Sequence, residues 1–275
     1  MNELLTRSLT GLIFVVLVIF SVFIHPYAFA VLFLIITFLA LLEFYNLAST
    51  RSVRPFKTTG IIFGAGLFLY SFFYSSTHGT LKLLPFLLIL LVLIPAEGLF
   101  RKGNYLANLI ISLAGILYIA LPLALLNILL FPFHLDGQHT PHLLAGYFFI
   151  LWSFDTGAYI TGKPFGKHKI VPLISPAKSW EGLAGGIIIA TAVCYFTGVY
   201  YTELTKTDWY VMLLIIIIMG TAGDLFESVL KRITGVKDSG SLLPGHGGIL
   251  DRFDSVFFSL PVFVIYYAIK YILLH

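Results

Sequence analysis

The residues of this 275-residue chain that could do chemistry crowd into its second half. Asp224, Glu227, Ser228, Lys231 and Arg232 recur at i, i+3, i+4, i+7 and i+8. At 3.6 residues per turn this is one face of a helix, with the carboxylates first and the cations last. Next comes Lys237-Asp-Ser-Gly-Ser-Leu-Leu-Pro-Gly-His-Gly-Gly248, too rich in glycine to be helical. Asp251-Arg-Phe-Asp254 then opens a second helix, with its carboxylates at the N-terminal end that the macrodipole favours. Asp224, Asp251 and Asp254 together could form an oxygen cage for Mg2+, and the cations beside them would bind a polyphosphate. Carboxylates, a hard divalent ion and Lys or Arg around phosphates are what phosphoryl or nucleotidyl transfer requires.

A second polar region lies upstream. It reads Asp155-Thr-Gly-Ala-Tyr159, then Gly162-Lys-Pro-Phe-Gly-Lys167, then Ile174-Ser-Pro-Ala-Lys-Ser-Trp-Glu-Gly182. Lys163, Lys167, Lys169 and Lys178 offer ammonium donors for phosphate oxygens. Ser175 before Pro176 is expected to cap a helix, since proline is tolerated at the first helical position. Lys178 and Glu181 would then share a helix face at i, i+3.

The elements that must position these residues are membrane helices. Hydrophobic residues make up 59% of the chain and charged residues 11%, against the roughly 25% charge of a soluble domain. Lipid must be the solvent for most of this surface. Nine hydrophobic stretches are expected as spans: Ser8–Ile24, Tyr27–Leu47, Thr59–Tyr74, Leu81–Phe100, Tyr105–Phe131, His142–Thr161, Gly182–Tyr201, Trp209–Glu227 and Phe253–Leu274. The fifth carries Pro122 and is expected to kink or split. Ala28-Phe-Ala30 resembles a signal-cleavage site, but the next apolar stretch runs through it, so the segment is expected to be retained.

With the N-terminus in the cytoplasm, 14 of the 17 Lys and Arg residues fall on the cytoplasmic side, leaving Lys82, Lys206 and Lys270 opposite. The positive-inside rule therefore puts the C-terminus on the far side. The expectation is an all-α polytopic integral membrane protein. It forms a single membrane domain over 1–275, with an N-terminal helical half (1–140) and a catalytic C-terminal half (141–275) bearing two cytoplasmic loops. Of thirteen acidic residues, seven (Asp155, Glu181, Asp224, Glu227, Asp238, Asp251 and Asp254) gather at the cytoplasmic ends of the last four spans. Acids inside a membrane are costly and mark functional sites.

Each feature also has a plainer account. A lone Asp-x-x-Asp is ordinarily a solvated helix start, and a Lys-Arg pair at a membrane boundary is ordinarily an anchor. Glu43 and Glu97 stand isolated in apolar stretches, where pairing with another helix explains them as well as function does. Asp136, His134, His139 and His142 read as an outer surface loop without clean metal-ligand spacing. Cys194, the single cysteine, reads as a small buried hydrophobe. What exceeds these accounts is the coincidence of acids, cations and glycine-rich loops on one membrane face.

The run from Ser228 through Gly235-Val-Lys-Asp-Ser-Gly240 and Pro244-Gly-His-Gly-Gly248 to Asp251-Arg-Phe-Asp254 resembles the signature of phosphatidate cytidylyltransferases, also called CDP-diacylglycerol synthases. Asp155-Thr-Gly-Ala-Tyr159, Ser175-Pro-Ala-Lys-Ser-Trp-Glu-Gly182 and Gly223-Asp-Leu-Phe-Glu-Ser228 are similar to the same family, so the resemblance covers roughly residues 150 to 260. Lys163 stands where an arginine often follows the glycine, and Ser179 where threonine is common.

The resemblance implies transfer of the cytidylyl group of CTP to phosphatidate, with Mg2+, giving CDP-diacylglycerol and pyrophosphate in phospholipid biosynthesis. It implies Asp224, Lys231, Arg232, Asp251 and Asp254 as catalytic residues, with Asp224, Asp251 and Asp254 on the metal. Lys178, Glu181, Ser228, Lys237, Asp238, His246 and Arg252 are the candidates for contacts to nucleotide and phosphate. The expected setting is the cell (inner) membrane, with the active site facing the cytoplasm, no nucleic-acid partner, and homodimerisation open. Two alternatives are an ion-coupled transporter and another CTP-dependent membrane lipid enzyme. A transporter would place its acids near the midplane, whereas these crowd to one face.

Overall fold

The computed structural model describes residues 3–50, 52–77, 84–99, 104–135, 138–236, 238–240 and 247–273. Among the described residues, each of the nine expected stretches holds a helix. Among the described residues, seven helical rods are long and apolar enough to cross a membrane: Pro26–Leu47, Lys57–Ser76, Tyr105–Leu130, Pro141–Phe165, Trp180–Tyr200, Lys206–Ile233 and Leu250–Tyr271. The described apolar parts of the other two are Thr10–Ile24 of α1 (Glu3–Ile24) and the 16 residues of α4 (Leu84–Leu99). The described residues form two compact units: 1–139 with 234–253, and 140–233 with 254–275.

The first unit holds α1, α2 (Pro26–Leu47), α3 (Lys57–Ser76), α4, α5 (Tyr105–Gly115) and α6 (Leu121–Leu130). The expected break at Pro122 takes the form of a π turn, Ile116–Ala120, that joins α5 to α6 as one rod. Proline has no N–H to give the Tyr118 carbonyl, and a wider turn lets the helix pass that gap. Buried polar residues of α5 hold the α2–α3 connection: Asn108 Oδ1 accepts the Arg54 N–H at 2.6 Å and Ser112 Oγ the Phe56 N–H at 2.7 Å. Tyr45, fully buried, donates to the Ser112 carbonyl at 2.8 Å.

The second unit holds α7 (Pro141–Phe165), a two-stranded hairpin of β1 (Lys169–Val171) and β2 (Ser175–Ser179), α8 (Trp180–Tyr200), α9 (Lys206–Ile215), α10 (Thr221–Ile233) and most of α11 (Leu250–Leu273). A π turn, Ile216–Gly220, links α9 to α10. Helices α7 and α8 pack backbone to backbone. A Cβ on Gly186 would lie 2.8 Å from the Phe154 carbonyl oxygen, and one on Gly182 would lie 2.9 Å from that of Ala158. Small residues spaced by four are how membrane helices approach this closely. At the other end of the unit, buried Asp208 opens α9 in a capping box with Thr205 and accepts from Lys270, Tyr266 and Tyr271 at 2.5, 2.6 and 2.9 Å.

Two local expectations are corrected. The span expected to end at Thr161 runs on through Lys163 and Pro164, and α7 ends at Phe165. Ser175 does not cap a helix, because Ser175–Ser179 is the strand β2, paired antiparallel through Lys169 with Ser179 and Val171 with Ser175. The cap is Ser179, whose Oγ accepts the Gly182 N–H at 3.2 Å. Lys178 and Glu181 therefore do not share a helix face.

Candidate active site

In the second unit the functional side chains come from α7, β2, α10 and the first turn of α11. The predicted face of α10 is present. Glu227 is buried, and Lys231 Nζ donates to its Oε2 at 3.0 Å. Ser228 Oγ donates to Asp224 Oδ1 at 3.5 Å, and Arg232 at the helix end is exposed. Strand β2 adds what the helix cannot: Lys178 Nζ meets Asp224 Oδ2 at 2.6 Å and the Thr221 carbonyl at 3.5 Å. Placing Lys178 in a strand rather than a helix lets it reach α10, 43 residues away along the chain at Thr221.

Asp254 faces the same helix. Gly223 makes that approach possible, since a Cβ there would sit 2.4 Å from the Asp254 carbonyl oxygen. The half-buried Asp254 side chain accepts the Ser255 N–H at 2.6 Å, and it feels the charges of Asp224, Glu227 and Asp155. Four carboxylates thus share this region with the ammonium groups of Lys178 and Lys231. Like charges held together in partly dry surroundings repel strongly, so cations are favoured there.

The oxygen-only donor set fits Mg2+, with Asp224 and Asp254 as the residues that would hold it. Among the described residues no group of three or more His, Cys, Asp or Glu is gathered closely enough to hold a metal alone.

Asp251, the third acid of the predicted metal set, is occupied differently in the first unit. Its Oδ2 accepts from Gly248 N–H at 2.8 Å, Ser239 Oγ at 2.9 Å and Ser239 N–H at 3.2 Å. It pulls both described ends of the glycine-rich loop onto the start of α11. Gly247 adopts a φ of 78°, a left-handed conformation open to glycine, and a Cβ there would strike Asp251 Oδ2 at 2.4 Å. Glu43, from α2, completes this assembly by accepting the Leu250 N–H at 3.0 Å. The sequence offers no partner for Glu43; its one signal is a lone carboxylate in an apolar helix.

The remaining predicted residues are dispersed. Glu181 pins the hairpin, accepting the His168 N–H at 3.2 Å and lying 2.6 Å from its Nδ1. Asp238 and Arg252 are exposed, and Lys237 and His246 lie outside the described residues. Lys163, the departure from the usual arginine, sits 5.6 Å from the centre of the Tyr159 ring.

The sequence pattern of the cytidylyltransferase family matches residues 5–270. A protein of Haemophilus influenzae named phosphatidate cytidylyltransferase is 30% identical over 95% of this chain and 97% of its own. One of that name from Bacillus subtilis is 33% identical over 95% of this chain and 96% of its own. A third, from Staphylococcus haemolyticus, is 49% identical over 46% of this chain and 48% of its own.

Proposed function

The chain belongs to the cytidylyltransferase family, and from that membership we propose that it is a nucleotidyltransferase of the membrane, transferring the cytidylyl group of CTP to phosphatidate. The products are CDP-diacylglycerol and pyrophosphate. The single observation that carries the reading is the cluster of the second unit, in which Lys178 is held 2.6 Å from Asp224 beside Asp254. It pairs phosphate-binding cations with oxygen donors.

The reaction needs little proton chemistry. A phosphatidate phosphate oxygen, already ionised near neutral pH, attacks the α-phosphorus of CTP. The bond from that phosphorus to the bridging oxygen breaks, and its electrons leave with pyrophosphate. The task of the protein is to hold two polyanions together and neutralise the charge that grows on the leaving group. Asp224 and Asp254 are proposed to hold Mg2+, which when bound supplies that neutralisation.

Lys178 stands ready to exchange its carboxylate for a phosphate oxygen. Lys231 pairs with Glu227 and holds it in place, and Asp251 orders the glycine-rich loop. Arg232, Lys237, Arg252, Ser228, Asp238 and His246 remain proposed contacts to phosphate or nucleotide. The 14-to-3 division of Lys and Arg supports an active site on the cytoplasmic side, with CTP arriving from the cytosol and the lipid from the bilayer.

The test is pyrophosphate release by detergent-purified protein given phosphatidate, Mg2+ and CTP, beside an ATP control and an Asp224→Asn variant. Release that requires lipid, CTP and metal, stops on chelation and is lost in the variant is expected. Well-folded protein that releases nothing under any lipid or metal condition would overturn the proposal.

A further inference from the structure

The residues that the sequence singles out lie between 155 and 254, yet a carboxylate from the second helix meets an end of the glycine-rich loop of the same chain. Glu43 lies four residues before the end of α2 and is only 6% exposed. A charge placed there is costly unless it is well partnered. Its Oε2 accepts the N–H of Leu250, the first residue of α11, at 3.0 Å. The first N–H groups of a helix have no partner within the helix and carry its positive end, so Glu43 caps α11 from 207 residues away. Leu250 itself is buried, so water is a poor substitute for that acceptor.

The loop is also cut to fit the carboxylate. A Cβ on Gly240 would lie 2.4 Å from Glu43 Oε1, and a Cβ on Gly248 would lie 2.4 Å from Oε2. Gly240, Gly248 and Leu250 therefore all lie against Glu43. Asp251 gathers Ser239 and Gly248 at the same place. Two carboxylates share the loop between them, and both arrangements are made by described residues alone.

We propose that Glu43 is a positioning residue for the transferase reaction, fixing the glycine-rich loop and the start of α11 so that Asp251 and its neighbours meet the nucleotide in one geometry. This rests on the nucleotidyltransferase reading of the preceding subsection. Glu43 touches no reacting atom and acts through Leu250, Gly240 and Gly248.

The experiment uses the full chain in detergent micelles with four single variants, Glu43→Ala, Glu43→Gln, Glu43→Asp and Gly240→Ala, and the Glu43→Asp/Gly240→Ala double. Amide hydrogen exchange of the peptide containing Leu250 reads the contact. The kcat of CTP-dependent pyrophosphate release, and KM for each substrate, read its use. In Glu43→Ala, exchange at Leu250 is expected to rise about 10- to 100-fold, the effect of losing a hydrogen bond to a charged acceptor. The kcat should fall by a similar ~10- to 100-fold, as for partners that orient catalytic ligands, with KM for phosphatidate unchanged. Glu43→Gln keeps an acceptor and the same size, so it should fold even if Glu43→Ala does not, and should retain part of the rate.

Gly240→Ala should cost activity in the wild-type background and less beside Glu43→Asp, whose shorter side chain vacates the space. Unchanged exchange at Leu250 in Glu43→Ala would overturn the contact. Faster exchange with unchanged kcat would overturn the positioning role and leave Glu43 a structural residue. Equal Gly240→Ala losses in both backgrounds would overturn the packing argument. If wild-type protein releases no CTP-dependent pyrophosphate, the enzymatic reading falls, and the exchange arm still decides whether Glu43 holds the loop.

Discussion

Gly223→Ala and Gly220→Ala make the same chemical change in one continuous helical rod, Lys206–Ile233, and their expected outcomes are opposite. Helix propensity favours alanine at either position by up to about 1 kcal/mol, so this contribution cancels when the two variants are compared. What remains is space. At Gly220 the nearest atom to an added Cβ is Ser255 Cβ at 3.4 Å, an ordinary contact. At Gly223 it is the Asp254 carbonyl oxygen at 2.4 Å, and a backbone atom cannot rotate away.

Restoring ordinary contact requires α10 and α11 to part by about 1 Å there, an overpacking cost of roughly 1–3 kcal/mol. Asp254 would move away from Asp224 as they part, and a displacement of about 1 Å at catalytic groups can cost on the order of 100-fold in rate. The assay is kcat for pyrophosphate release per folded molecule, alongside the thermal midpoint followed by tryptophan fluorescence. Gly220→Ala should keep the wild-type rate and melt no earlier. Gly223→Ala should melt earlier and lose about two orders of magnitude in kcat. A Gly223→Ala protein with wild-type rate and midpoint would refute the close approach of α10 to α11 as the device that places Asp254.

Three further outcomes follow from single interactions. Lys231→Met removes the ammonium that lies 3.0 Å from buried Glu227 and should lower the thermal midpoint by more than Arg232→Met, whose side chain is exposed at the helix end. Ser179→Ala removes the acceptor for the Gly182 N–H and should lower stability by about 1 kcal/mol, with Ser179→Thr close to wild type, read by the same melt. Asp208→Ala removes the carboxylate that accepts from the Lys270 ammonium and two tyrosine hydroxyls. It should lower the midpoint by more than Ser179→Ala while the surviving folded molecules keep kcat and both KM values.

Residue types and short spacings are legible in the amino-acid sequence alone. The α10 face is formed as expected, because Asp224, Ser228, Glu227 and Lys231 interact within one or two turns of a single helix. The opening of α11 is legible for the same reason. The expectation of a cap at Ser175 gives Pro176 more weight than a better signal nearby. Ser179 stands immediately before the apolar run that starts at Trp180, which is where a cap belongs. The π turns are half visible: Pro122 announces one, while nothing as plain precedes Ile216–Gly220.

What sequence does not supply is choice of partner, because that is decided by chain closure. Lys178 could have faced solvent, phosphate or any of seven acids; the β1–β2 hairpin turns it onto Asp224. Glu43 lies outside the stretch that carries the family resemblance, and its partner is 207 residues away. Yet residues 234–253, the loop at the centre of that resemblance, fold into one compact unit with residues 1–139. Glycine has more conformational freedom to lose than any other residue, so entropy opposes any single arrangement of a glycine-rich segment. At the described ends of this loop, charged acceptors from outside it oppose that freedom. Asp251 supplies one from the following helix, and Glu43 supplies the other from a helix that the signature does not include.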